Sequence, residues 1–127
     1  MGYRGSQWEN IDRDSYFPVN MENARNAGIA LGVYFYSQAV NTEEAEEEAQ
    51  FVLDILSYYE SIDYPVVLDI EESAQPGRVT QARLSRREYT DIALAFCLKI
   101  QEAGYTPMVY SYQYILKVEN FFCYDYI

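Results

Sequence analysis

Short apolar runs, too brief for helices, alternate along this chain with longer runs of helical periodicity, and no other feature restricts the fold as much. Ile29–Ser37 (IALGVYFYS), Tyr64–Glu71 (YPVVLDIE) and Thr106–Ser111 (TPMVYS) are rich in branched and aromatic residues and read as buried strands. A first helix is predicted after Asp14-Ser15-Tyr16-Phe17-Pro18, with Phe17, Met21 and Ala24 on one face and Gly28 as its stop. Asn41 or Thr42 caps a second, whose apolar stripe is Ala45, Ala49, Val52, Leu56 and Tyr59. Ser85-Arg86-Arg87-Glu88 is a capping box opening a third, with Tyr89, Ile92, Ala93, Phe96, Ile100 and Ala103 on one face until Gly104. Tyr112–Val118 reads as a short helix, Met1–Arg4 as a strand end, and Glu72–Leu84 as a long polar loop. These make about four βα units of roughly 30 to 40 residues, an α/β chain with parallel strands.

With 127 residues, half of them hydrophobic, the chain can bury a core. Nine basic against 20 acidic residues give a formal net charge of −11, which repels phosphate backbones and anionic lipid, so neither nucleic acid nor a membrane surface is expected as a partner. The acidic run Glu43, Glu44, Glu46, Glu47 and Glu48 reads as a solvated helix face at the favourable end of the helix dipole. There is no histidine, so Ser-His-Asp and Cys-His nucleophiles and histidine-ligated zinc are excluded within the chain. Acid and base chemistry is left to carboxylates, tyrosines and lysines. Cys97 and Cys123 lie in apolar surroundings and read as packed thiols rather than a disulfide framework. Nothing at the amino end resembles a signal peptide, and no run approaches the roughly 18 apolar residues of a membrane helix.

In parallel α/β folds, chemistry sits at the carboxyl ends of strands. The strand period of two puts Val67, Asp69 and Glu71 on one face of PVVLDIE and Val66, Leu68 and Ile70 on the other. Two neighbouring acids on an otherwise apolar strand repel each other, so one of them holds its proton to higher pH than a free carboxyl. By the same alternation Tyr34, Tyr36, Met108 and Tyr110 share the mouth with the acids. A carboxyl pair among aromatic rings suits glycoside hydrolysis. The same D-x-E pattern also fits a magnesium site or a structural ion pair.

Several segments in order resemble glycoside hydrolase family 25, the lysozyme-type N-acetylmuramidases: Gly2–Gly5 (GYRG); Asp14, Phe17, Asn20 and Ala24, followed by AGIALGVYFYSQAVN; EAEEEAQFVL; PVVLDIE; and YTDIALAFCLKIQEAGYTPMVYS. The resemblance implies a TIM-like (β/α) barrel that cleaves the β-1,4 bond between N-acetylmuramic acid and N-acetylglucosamine in peptidoglycan. Carried over by position, Glu71 is the general acid. Asp69 is its carboxylate partner, orienting the substrate's 2-acetamido group for attack on the anomeric carbon with net retention. Tyr34, Tyr36 and Tyr110 then lie in the glycan groove, with no cofactor and no metal. Trp8 fits a sugar platform and a loop anchor equally well. An extracellular or cell-wall location also follows from the resemblance.

The family's first strand, carrying D-V-S or similar, and its barrel-closing last strands have no counterpart here. The expectation is therefore a partial barrel, the middle of one catalytic domain spanning residues 1–127. Such a piece exposes sheet edges and is expected to self-associate through them. Besides the hydrolase, the sequence admits a glycan-binding or inactive remnant of such a domain, and a small open sheet with a magnesium site at Asp69 and Glu71.

Overall fold

The computed structural model describes residues 1–5, 9–72 and 77–112. Among these residues, five strands form one open sheet in the order β2-β1-β3-β4-β5. They are β1 (Gly2–Arg4), β2 (Ile11–Arg13), β3 (Val33–Ser37), β4 (Val66–Ile70) and β5 (Pro107–Tyr110). Strands β1, β3, β4 and β5 run parallel, and β2 pairs antiparallel with β1 at the edge. Among the described residues the α/β class and parallel order match expectation, as an open arc rather than a closed barrel.

Among the described residues, four helices complete the fold: α1 (Phe17–Asn26), α2 (Thr42–Leu56), α3 (Arg78–Ala82) and α4 (Arg86–Glu102). Asn41 caps α2 by accepting from the Glu44 backbone N–H at 2.9 Å. Ser85 and Glu88 form the expected capping box on α4. Gly28 and Gly104, just past α1 and α4, take φ values of 68° and 89°, a left-handed conformation that costs glycine little.

One face of the sheet carries the core. Val33 and Phe35 of β3 and Val66, Leu68 and Ile70 of β4 are buried against Val52 and Leu56 of α2 and Ile92, Phe96 and Ile100 of α4. Phe35 and Phe96 are fully enclosed, each contributing about 2–3 kcal/mol by burial. Phe17 and Met21 of α1 join this core, and the Phe17 ring meets Tyr59 edge-on at 5.7 Å.

The other face is open. Tyr3, Tyr34, Met108 and Tyr110 are all exposed on it, so the two sides of the sheet differ as the period-two reading requires.

Several sequence expectations need correction. β3 begins at Val33 instead of Ile29, because the Leu31 backbone bonds to the Asp63 carboxylate and to the backbone N–H groups of Asp63 and Tyr64 rather than to a strand neighbour. β2 went unread, since three residues with two charges carry no alternating signal and form a strand only because β1 offers an edge. The loop expected over 72–84 contains α3, tied down by Arg78 to Glu44 at 2.6 Å. Ala103 is an exposed cap residue just past α4 rather than part of its buried face. The acidic run is a solvated face only at Glu43, Glu46 and Glu47. Glu44 pairs with Arg78, and Glu48 is fully buried against Arg4, with Nε to Oε1 at 2.7 Å. Trp8, Cys123 and most of the helix expected over 112–118 lie outside the described residues.

Candidate active site

The parallel register builds the site. Tyr3 of β1 stands beside Tyr36 of β3, Tyr36 beside Asp69 of β4, and Asp69 beside Tyr110 of β5. Neighbours in register on parallel strands project to the same side, so one row across the open face reads tyrosine, tyrosine, aspartate, tyrosine. Tyr34, Val67 and Met108 form the next row toward the amino ends.

Asp69 and Glu71 differ in setting although they project from one strand. Asp69 lies within β4, and its Oδ1 is buried without a hydrogen-bond partner among the described residues. Burial first, and the Glu71 charge second, push its carboxyl from the ordinary 3.8 up to about 6. Glu71 comes just after the strand ends, half-buried. The sequence implied that one acid of the pair would hold its proton longer without deciding which. The raised one is Asp69.

Tyr36 is half-buried, and its phenol is held above its ordinary range by burial, then by the Glu71 and Asp69 charges and Tyr112. It therefore stays a hydroxyl and can donate a hydrogen bond at any physiological pH. Tyr34 and Tyr110 are 58 % and 56 % exposed, flat rings available to a ligand on the open face. Tyr36 and Tyr110 flank Asp69 in its own row; Tyr34 sits one row away.

Three side chains that support this end of the sheet went unread. Gln38, fully buried, donates to the Glu71 carbonyl at 2.9 Å. The Ser111 hydroxyl donates to the Ile70 carbonyl, bracing β4 from the end of β5. Arg4 reaches from β1 to α2 and donates to the Glu44 carbonyl at 3.0 Å, to the Glu47 carboxylate at 3.2 Å and to Glu48. No polar side chain reads as buried from strand alternation alone, so the only signal was Gln38 following directly on an apolar strand. Among the described residues, no group of three or more acidic, cysteine or histidine side chains is arranged to hold a metal ion, and no helix is long and apolar enough to cross a membrane.

The model of glycosyl hydrolases family 25 matches residues 9–122. The chain belongs to glycosyl hydrolases family 25. The open arc of parallel strands is a partial barrel consistent with that family's fold. Two solved structures share the fold, both of the modular autolysin LytC from Streptococcus pneumoniae. One is 24 % identical with a TM-score of 0.72. The other, in complex with a synthetic peptidoglycan ligand, is 26 % identical with a TM-score of 0.74. Each similarity covers 91 % of this chain and 26 % of LytC, so the chain spans about a quarter of that protein's length. No curated protein matches it.

Proposed function

We propose that this family-25 chain carries the carboxyl pair of a peptidoglycan hydrolase that cleaves the β-1,4 bond between N-acetylmuramic acid and N-acetylglucosamine, acting outside the cell or in the cell wall. The observation that carries the reading is the row Tyr36, Asp69, Tyr110 on an open sheet face, with Glu71 at the strand end beside it. The LytC complex with a peptidoglycan ligand supports the substrate class.

Glu71 donates its proton to the glycosidic oxygen as the bond to the anomeric carbon breaks. Ionised Asp69 accepts a hydrogen bond from the N–H of the 2-acetamido group and turns its carbonyl oxygen toward the anomeric carbon. The bond that forms there closes a cyclic intermediate. Water, giving its proton back to Glu71, opens it with net retention, a substrate-assisted variant of the two-carboxylate scheme. Because the two acids interact, their proton belongs to the pair, and the working state is the one with Glu71 protonated and Asp69 ionised. Tyr36 donates to the sugar, and Tyr34 and Tyr110 supply ring faces along the glycan.

Clearing of a peptidoglycan suspension by this chain and by Glu71→Gln tests the proposal. Clearing by the first and not by the second supports it. Glycan pull-down by both without clearing by either replaces it with a binding role, and clearing by both removes Glu71 from the chemistry.

A further inference from the structure

Where β3 and β4 part, a side chain takes over from the backbone ladder. Their parallel pairing ends at Ser37 and Ile70, and the next residues in that register are Gln38 and Glu71. Gln38 is fully buried. Its Nε2 donates to the Glu71 carbonyl at 2.9 Å, to the Ser37 carbonyl at 3.1 Å and to the Tyr36 phenol oxygen at 3.2 Å. Its Oε1 accepts from the Val79 backbone N–H of α3 at 3.4 Å. Its own carbonyl accepts from Arg78 at 3.1 Å.

A primary amide joins donors and an acceptor on one planar group, and this position uses both. A glutamate here would lack the donor, and an apolar residue of the same size would strand the Glu71 carbonyl and the Val79 N–H without partners. The contact to Tyr36 has a second effect. Because the phenol oxygen accepts from Gln38, its own proton is left to be donated on the open face.

We propose that Gln38 is a positioning residue for the carboxyl pair: one buried amide fixes the main chain of Glu71 beyond the end of β4 and directs the hydroxyl of Tyr36. The inference deepens the reading of Glu71 as the acid and rests on it for its catalytic meaning.

NMR tests the geometry without requiring activity. In the unaltered chain, the Gln38 side-chain amide protons are expected to exchange with solvent at least roughly tenfold more slowly than those of exposed Gln50. Equal exchange overturns the proposal, and this measurement stands even if substitutions at Gln38 do not fold.

Carboxyl titration then measures how far Glu71→Gln moves the Asp69 midpoint. That movement is expected to shrink by at least about half in a Gln38→Met background, because Glu71 is no longer held beside Asp69. An unchanged movement in a folded Gln38→Met chain overturns the proposal.

On a soluble glycan, Gln38→Met is expected to lower kcat about tenfold with little change in KM, the signature of lost orientation. An unchanged kcat counts against it. If the unaltered chain does not cleave glycan, the hydrolase reading fails while exchange and titration still decide the role of Gln38.

Discussion

Tyr36 and Asp69 stand side by side in the parallel register of β3 and β4, with Tyr110 on the far side of Asp69. The aspartate is thus flanked by two tyrosines while its companion Glu71 lies past the strand end. This placement, more than the D-x-E spacing, separates the two acids chemically.

The separation has a consequence for stability. The Asp69 pKa of about 6 in the folded chain lies above the ordinary 3.8, so folding is disfavoured by its charge as pH rises through that window and is unaffected below it. Asp69→Asn is expected to be more stable than the parent by about 1 kcal/mol near neutral pH, after allowance for the partial solvent exposure of the carboxyl. The gain should vanish below the lower value. Urea denaturation at the two pH extremes checks this, and a variant less stable at neutral pH contradicts it.

Activity should show the same group. Because the working state keeps one proton on the pair, peptidoglycan clearing is expected to fall on the alkaline side as the pair loses that proton, around a midpoint near 6. Glu71→Gln is expected to cost about 10²–10⁴-fold in clearing rate, the usual contribution of a general acid. Stability measured alongside should change little, because Glu71 is only half-buried. A pH–rate profile that is flat through this region removes Asp69 from the mechanism.

The Arg4–Glu48 pair is a buried link between β1 and α2. Arg4→Met leaves an uncompensated buried carboxylate and is expected to destabilise the chain by about 3–5 kcal/mol. Burial already drives the Glu48 carboxyl above its ordinary range against the opposing pull of Ser37 and Arg4. Replacing both partners, Arg4→Met with Glu48→Leu, should recover most of that loss. Equilibrium unfolding of the two variants checks it, and equal instability of single and double variants would show that the pair itself carries net stability.

The open sheet face predicts association. Tyr34, Met108 and Tyr110 are exposed together, and β5 is an edge strand among the described residues. The weight-average mass by light scattering is expected to rise with concentration, and Met108→Lys, which puts a charge in the middle of the face, should lower it. A sharp monomer mass at high concentration contradicts this.

The elements that repeat a local pattern were legible in the sequence. The caps at Asn41 and Ser85, the stops at Gly28 and Gly104 and the two faces of PVVLDIE follow from hydrogen bonding and backbone sterics within a few residues. Those forces act before the chain has a tertiary structure. The family likeness of the ordered segments was legible too, and it supplied the roles proposed for Asp69 and Glu71.

Tertiary structure alone decided the rest. Glu48 shares a helix face with Ala45 and Val52, one turn from each, so its burial leaves a trace in the periodicity. Its partner Arg4, however, is 44 positions away and can be matched only by folding. β2 and α3 are too short to be stable alone, and exist because β1 offers an edge and Glu44 a partner for Arg78. Likewise the sequence determined that two acids share one strand face. Which of them is starved of water, and which buried amide holds the other, depended on the neighbours that register and packing brought beside them, because desolvation is a property of the surroundings and not of the residue.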